Sequence, residues 1–175
     1  MFLNKIKLFL VISICLIFFF LTYNDVKSQE PKIIFGKAKV IDGDTIKIDK
    51  NKIRLYGIDA PEKKQQCQKI WLSISFLTLN KNYQCGKISS NKLKVKINNK
   101  FIMCKSSNKD RYNRFIAECY KDKININKWM VSNGYAVAYK KYSKKFVAQE
   151  NIAKKEKLGL WAGTFEMPWE WRKKN

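Results

Sequence analysis

The sequence predicts a β-rich α+β domain, in which a closed five-stranded barrel carries about three helices. Short segments that alternate apolar and polar residues come first, a candidate helix lies between two groups of them, and further helices follow towards the C-terminus. With 175 residues, the chain has the length of one domain once its N-terminal segment is set apart.

The N-terminal segment predicts export. A lysine-flanked apolar run of 16 residues, Leu8 to Tyr23, precedes Val26-Lys27-Ser28, which offers suitable residues at the −3 and −1 positions of a cleavage site. We therefore divide the chain into a signal peptide, 1–28, and a single domain, 29–175, that is secreted or periplasmic. Because the run approaches the ~20 residues of a bilayer-spanning helix, an uncleaved membrane anchor is the alternative.

Three consecutive antiparallel strands are predicted between residues 36 and 58. Apolar and polar residues alternate there, as in Ile46-Lys47-Ile48 and Ile53-Arg54-Leu55, and Asp42-Gly43-Asp44 is typical of a tight turn. The remaining predictions are a helix at Lys69–Asn80, strands at Leu93–Ile97, Phe101–Cys104 and Arg114–Tyr120, helices at Ile126–Asn133 and Ser143–Leu158, and an aromatic tail, Phe165–Arg172, that packs on the body.

Four cysteines follow the signal segment, and an exported domain is expected to oxidise them to two disulfides. Three pairings are possible. The sequential one, Cys67 with Cys85 and Cys104 with Cys119, closes two short loops. A structural zinc site is not expected, because no C-x-x-C spacing and no histidine are present.

The charge of the chain points to a polyanionic partner. Lysine and arginine number 36 against 14 acidic residues, a formal charge of +22, and such a surplus attracts the phosphates of nucleic acids. The chain contains no histidine, which excludes serine triads, histidine-pair ribonucleases and histidine-metal nucleases. A carboxylate base, an oxygen-liganded metal and cationic side chains remain for hydrolysis.

Carboxylates are concentrated in the stretch from Val40 to Glu62. Asp44 and Asp59 end neighbouring predicted strands, where they would converge on one hard cation, calcium or magnesium. Glu62 is then the candidate base, while Asp42 and Asp49 are interpreted as turn residues. An EF-hand is excluded because Ile46 occupies a ligand position of its loop.

Arginine is rare in this lysine-rich chain. Only four of the 36 basic residues are arginine: Arg54, Arg111, Arg114 and Arg172. Its planar fork is suited to phosphate, so these positions are candidates for phosphate recognition, with surface ion pairs as the alternative.

Four ordered blocks resemble the thermonuclease family, the staphylococcal nuclease homologues. They are Asp42–Thr45, Ile53–Glu62, Asp110–Arg114 and Gly134–Tyr139. The resemblance extends from about Gly36 to Trp161, and Gly159-Leu160-Trp161 with the aromatic tail is similar to the exported bacterial branch.

The resemblance implies an OB-fold barrel and a calcium-dependent nuclease that cleaves DNA and RNA with little base preference. Asp44, Asp59 and the carbonyl of Ala60, where the family often has threonine, would ligate calcium. Glu62 would activate water, and Arg54 and Arg114 would hold the phosphate. Asp42 would have a supporting role, and Asp110 would orient the Arg114 loop. The candidates for contact with the substrate are Arg111, Tyr112, Tyr139 and Tyr142.

The chain departs from the family in two places. Asn113 stands where glycine is usual, and since asparagine tolerates a left-handed backbone we expect the loop to be retained. Tyr139 and Tyr142 have a spacing different from the family's Tyr-x-Tyr, so which tyrosines line the pocket is left open.

Two other functions compete with the nuclease. One is a non-catalytic OB-fold module that binds single-stranded nucleic acid, and the other is a membrane-anchored basic protein that binds envelope polyanions. The acid set argues against a pure binder, because clustered carboxylates repel phosphate. We expect a monomer with no protein partner.

Overall fold

The computed structural model describes residues 12–15 and 30–175. The predicted signal peptide therefore lies outside the described residues except for a helical piece at 12–15. Within the described part, no helix has the length and apolar character needed to cross a bilayer. The chain divides into two units, Met1–Glu30 and Pro31–Asn175, and the second unit is described below.

The strands and helices of the second unit follow one another in mixed order. The strands are β1 Lys32–Asp42, β2 Thr45–Ile48, β3 Asn51–Leu55, β4 Ile58–Asp59, β5 Cys67–Ile74, β6 Leu77–Tyr83, β7 Phe101–Lys109, β8 Phe115–Lys121, β9 Ile124–Asn125, β10 Val137–Ala138 and β11 Gly163–Thr164. The helices are α1 Cys85–Ile97, α2 Ile126–Ser132, α3 Val147–Lys155 and α4 Pro168–Lys174, with a 3₁₀ turn at Gly159–Ala162.

Five strands close into a barrel, as the sequence predicts. The sheet order is β3-β2-β1-β7-β8-β9, and β3 pairs in parallel with β8 through Ile53↔Phe115, Arg54↔Ile116 and Leu55↔Ala117. All other pairings within this sheet are antiparallel. The predicted fold class is confirmed, although residues 30–175 contain four α-helices and not about three.

The barrel interior is made by the alternating strands. Ile46, Ile48 and Ile53 have no exposed surface and Leu55 has 1%. The lysines between them face solvent, because successive side chains of a strand point to opposite sides. A two-residue turn, Gly43-Asp44, joins β1 to β2 as predicted, with Asp42 paired to Thr45.

The predicted helix at Lys69–Asn80 is wrong. This stretch forms the hairpin β5–β6, in which Leu72 faces Leu79 and Ile74 faces Leu77 across a turn at Ser75-Phe76. The apolar residues fit helical and strand spacing equally, and the turn lacks the Asn-Gly or Asp-Gly signal of a tight hairpin. The structure also leaves the segment exposed, where we expected a largely buried helix.

The predicted strand at Leu93–Ile97 is also wrong, since it forms the last turns of α1. Leu93 and Ile97 lie four residues apart on the buried side of the helix, while Val95 is 73% exposed. Three alternating apolar residues are consistent with either structure, and only the buried pair reveals the helical period.

Two disulfides are present, in the sequential pairing. Cys104 and Cys119 are directly opposite each other on β7 and β8, inside the barrel. The pair Cys67 and Cys85 ties the base of the β5–β6 hairpin to the first turn of α1. One disulfide therefore joins strands of the barrel, and the other secures the segment outside it.

The C-terminal elements pack against this body. Helix α2 is followed by Gly134 at φ +66°, as predicted. Helix α3 begins at Val147, later than predicted, and the residue that precedes it is Phe146. Ser143, the predicted cap, lies before the helix, where its Oγ accepts a hydrogen bond from the backbone N–H of Lys145. The tail forms α4, and Trp169 packs against a cluster around Val137 and Leu160, which confirms that the tail returns to the body.

Candidate active site

Asp44 is buried at the turn between β1 and β2. Its Oδ1 accepts hydrogen bonds from the Thr45 hydroxyl at 2.9 Å, and Oδ2 accepts one from the Ala60 backbone N–H at 3.0 Å. Arg54 Nη1 lies 2.6 Å from Oδ1. Burial raises the pKa of Asp44, but the Arg54 charge and the hydrogen bonds outweigh burial and hold that pKa below its ordinary value.

Arg54 links Asp44 to a second buried carboxylate. Thr45 pairs with Arg54 across β2 and β3, which places the arginine beside the Asp44 turn. Its other nitrogen, Nη2, donates to Asp59 Oδ1 at 2.6 Å. Asp59 has no exposed surface. Burial and the neighbouring Asp44 charge raise the pKa of Asp59, although Arg172 and Arg54 oppose the shift.

Glu62 and Asp59 share an arginine that the sequence did not assign to the site. Arg172, on α4, lies 2.8 Å from Asp59 Oδ2 through Nη2 and 3.0 Å from Glu62 Oε1 through Nη1. The five side chains form an alternating row of acids and arginines, here called the acid–arginine row: Asp44, Arg54, Asp59, Arg172 and Glu62. The rarity of arginine in this chain was the signal that could have identified Arg172.

Asp42 lies at the edge of the acid–arginine row. Its Oδ1 accepts the Asp44 backbone N–H at 3.2 Å, as expected of a turn aspartate. Burial, together with the negative charge of Asp44, raises the pKa of Asp42 to about 7. The crowding of carboxylates is therefore only partly offset by the arginines.

Arg114 belongs to a second cluster, on the loop before β8. Asp110 accepts bonds from the Arg114 backbone at 3.0 Å and from its Nε at 2.8 Å. These bonds outweigh burial and hold the pKa of Asp110 below its ordinary value. Asn113 has φ +61°, which confirms that asparagine keeps the left-handed turn.

The structure does not bring Arg114 into contact with the acid–arginine row. Within the described residues its salt bridge is to Asp110, at 2.7 Å. The parallel pairing of β3 with β8 nevertheless brings the loop that carries Arg114 to the edge of β3, since Phe115, the first residue of β8, pairs with Ile53. Arg54 thus lies on one barrel strand, and Arg114 directly precedes the strand next to it.

The candidate substrate-contacting residues fall into two groups. Tyr112 is 63% exposed and lies under the guanidinium groups of Arg111 and Arg114, 4.9 and 5.3 Å from its ring centroid. Tyr139 contacts Tyr142 edge to face at 4.8 Å and stacks on Trp169 at 5.4 Å. Val137 pairs with Asp59, and the Tyr139 backbone N–H donates to the Gly57 carbonyl at 3.0 Å, which places this group beside the acid–arginine row. Burial and the Asp59 charge raise the pKa of Tyr139.

The donor set suits a hard cation but is sparse. In the described ranges, no three His, Cys, Asp or Glu side chains are grouped closely enough to hold a metal by themselves. Asp44 and Asp59 offer carboxylate oxygens with further lone pairs, and Ala60 offers a backbone carbonyl. Calcium accepts such ligands and completes its shell with water and phosphate oxygens. These residues therefore fit a metal that also binds water and phosphate, and not one whose ligands all come from the protein.

Comparisons with known proteins identify the family of the chain. A family model described as "Staphylococcal nuclease homologue" matches residues 52–163. An "Uncharacterized endonuclease" of Haemophilus influenzae is 38% identical, over 78% of this chain and 71% of its own length. A protein of Escherichia coli O157:H7, also named "Uncharacterized endonuclease", is 34% identical over 79% of this chain and 85% of its own length.

Two other relatives differ from these in name or in length. A "Succinoglycan biosynthesis protein ExoI" of Rhizobium meliloti is 33% identical over 79% of this chain and 69% of its own length. A "Probable staphylococcal-like nuclease CAN4" of Oryza sativa is 32% identical, but the match covers only 25% of that longer protein. The model match and these identities establish that the chain belongs to the staphylococcal nuclease homologue family.

Proposed function

We propose that the chain is an exported, calcium-dependent nuclease that hydrolyses phosphodiester bonds in DNA and RNA with little sequence preference. Membership of the family supports nuclease activity on nucleic acid in general. The observation that carries the proposed mechanism is the acid–arginine row, in which three carboxylates and two arginines alternate within hydrogen-bonding distance.

Glu62 is the candidate general base. Its side chain is 35% exposed, so water reaches it, whereas Asp59 has a fully buried side chain. Its Oε1 is used by Arg172, and in the described residues no protein donor contacts Oε2, which is left to accept a proton from an attacking water.

Arg54 and Arg114 are the candidate phosphate-binding residues. A guanidinium offers two parallel donors to phosphate oxygens and stabilises the extra negative charge of the transition state. The Arg54 side chain is 17% exposed and that of Arg114 24%, so each is partly accessible from solvent. Asp110 holds Arg114 through its backbone and side chain and would fix its direction.

Calcium would be held by Asp44, Asp59 and the Ala60 carbonyl, and when bound it would polarise the phosphate and offset its charge. Aromatic side chains would stack on bases without reading their sequence, which suits a nuclease of low base preference. Tyr112, which lies against Arg114, and Tyr139, which packs against Tyr142, are the candidates for that role together with Tyr142.

Two features support export. The described domain holds two disulfides, which persist in oxidising compartments, and a lysine-flanked apolar run precedes it in the sequence. We infer a secreted or periplasmic protein.

Cleavage of single-stranded DNA and of RNA by the Gln29–Asn175 fragment, in calcium and then in EDTA, tests the proposal. We expect shortening of both substrates in calcium and none in EDTA. A folded fragment that binds both substrates without shortening either would establish the non-catalytic binding module instead.

Glu62→Gln tests the base directly. We expect kcat to fall by about 10² to 10⁴, because the amide cannot accept the proton, while unfolding stability changes little. Glu156→Gln, an exposed glutamate near the end of α3, is the matched control and should keep the wild-type rate. A Glu62→Gln enzyme as fast as wild type would remove Glu62 from the mechanism.

A further inference from the structure

The C-terminal helix reaches the candidate active site through one side chain. Arg172 lies on α4, 110 residues after Glu62 in the sequence, yet its guanidinium bridges Glu62 and Asp59. The two bonds leave from different nitrogens, Nη1 to Glu62 and Nη2 to Asp59. One guanidinium group therefore fixes the separation of two carboxylates, that of Asp59 on β4 and that of Glu62 in the loop after β4.

Glu62 depends on this contact for its position. It lies in the loop after β4, its side chain is partly exposed, and its side-chain partner within residues 30–175 is Arg172. A loop glutamate without a partner populates several rotamers, whereas a general base must stay within hydrogen-bond reach of its water. The loop backbone itself is held by the bond from Gln65 N–H to the Glu62 carbonyl at 2.7 Å.

Arg172 is in turn held by the body of the protein. Asp59, its second partner, is fully buried and bound to Arg54. Pro168 of α4 is buried, Trp169 stacks on Tyr139, and Gln65 Nε2 donates to the Glu166 carbonyl just before the helix at 2.7 Å. Glu62 is thus connected to the barrel through Arg172, Asp59 and Arg54, each bonded to the next.

We propose that Arg172 is a positioning residue, and that α4 is part of the active site: the arginine fixes the Glu62 carboxylate through Oε1 and keeps Oε2 directed at the attacking water. The inference rests on the proposed nuclease function of Glu62. The role proposed for Arg172 is to hold the two carboxylates, and binding of the phosphate is assigned to Arg54 and Arg114.

Steady-state kinetics of Arg172→Ala in the full chain test the proposal. We expect kcat to fall by about 10²-fold with KM within about twofold of wild type, since a misplaced base slows the chemical step without weakening binding. Lys173→Ala is the matched control. Lys173 is the next residue of α4, it is 69% exposed and pairs with Glu170, and its loss should leave both constants unchanged.

A double-mutant cycle separates positioning from a direct role. If Arg172 acts through Glu62, adding Arg172→Ala to Glu62→Gln lowers kcat no further. Arg172→Lys should restore only part of the rate, because a single ammonium cannot bridge both carboxylates. Additive losses, or a rise in KM with unchanged kcat, would overturn the proposal and make Arg172 a phosphate ligand.

Hydrogen exchange gives a readout that does not depend on activity. In Arg172→Ala the Gln65 amide, which is bonded to the Glu62 carbonyl, should exchange faster, whereas in Lys173→Ala it should not. Unchanged exchange in Arg172→Ala would overturn the positioning role. An inactive wild type with the expected exchange would refute the nuclease proposal and leave the positioning role supported. A faster Arg172→Ala enzyme would instead show that α4 obstructs the site.

Discussion

Two strand pairs of this protein both contain several apolar residues but have opposite surroundings. In β2–β3, Ile46 and Ile53 have no exposed surface, and two members of the acid–arginine row, Asp44 and Arg54, lie beside or on these strands. In β5–β6, Ile70 is 61% exposed, Trp71 64% and Phe76 94%. Apolar content therefore does not decide burial here. The regular alternation with lysine in the first pair marks a surface with one buried face. In the second pair the apolar residues do not alternate regularly with lysine.

The largest effect in the barrel pair is expected from Arg54→Ala. Its removal leaves the buried Asp44 without its arginine and the buried Asp59 with Arg172 alone, which costs about 3–5 kcal/mol of unfolding free energy at neutral pH. Urea unfolding measures this cost, and Lys52→Ala, exposed on the same strand, is the control.

The cost of Arg54→Ala should also depend on pH. Arg54 helps hold the pKa of Asp44 below its ordinary value, so the pair contributes stability above the unfolded-state pKa, about 3.9, and loses it as pH falls through the folded-state pKa. The difference between wild type and variant should shrink between pH 7 and pH 3. An equal difference at both values would show that the cost arises from packing and not from charge.

A matched pair of isoleucines tests the comparison with the same chemistry. Ile53→Ala, in the barrel, should cost about 2–5 kcal/mol because it opens a cavity in a closed core. Ile70→Ala, in the hairpin, should cost no more than about 0.5 kcal/mol. Similar urea midpoints for the two variants would mean that the hairpin is covered in solution.

The disulfides allow the two regions to be loosened separately. Each closes a loop of similar length, with sequence separations of 18 and 15 residues, so Cys67→Ser/Cys85→Ser and Cys104→Ser/Cys119→Ser should each lower stability by about 3 kcal/mol. Only the first pair of substitutions should speed proteolytic cleavage within β5–β6. Unchanged cleavage would show that the hairpin is held by contacts other than Cys67–Cys85.

The smallest effect is expected at the tip of the hairpin. Phe76→Ser removes a side chain that is 94% exposed, so the free energy of unfolding should change by no more than about 0.5 kcal/mol and the thermal midpoint by about 2 °C. Calorimetry measures both. A loss of several degrees would contradict the exposure of this residue.

The same contrast explains what the sequence could and could not predict. The barrel strands were predictable because Ile46, Ile53 and their neighbours alternate with lysines around recognisable turns. The hairpin was not, because its turn residues carry no turn signal and its apolar residues satisfy two periods at once. In Leu93–Ile97 the missing information was tertiary, namely which of three apolar residues faces the core.

The residues of the candidate site also differ in whether the sequence alone could predict their proximity. Asp44, Arg54, Asp59 and Glu62 lie within one stretch of sequence, so their proximity could be expected from two turns. Arg172 could be noted as a rare arginine, but its contact with Glu62 follows only from the return of α4 to the barrel. The pairing of Arg114 with Asp110 is local, and its distance from the acid–arginine row depends on how β8 meets β3.

The parallel contact between β3 and β8 also bears on folding. It joins Ile53 to Phe115 across about 60 residues of sequence, so the loop between them must be ordered before the contact forms, and such non-local closures are slow. The hairpins β1–β2–β3 and β7–β8 can form from local contacts alone, but Arg54 and Arg114 become neighbours only when the barrel closes. Catalytic competence should therefore appear in the last phase of refolding, after most β-structure has formed.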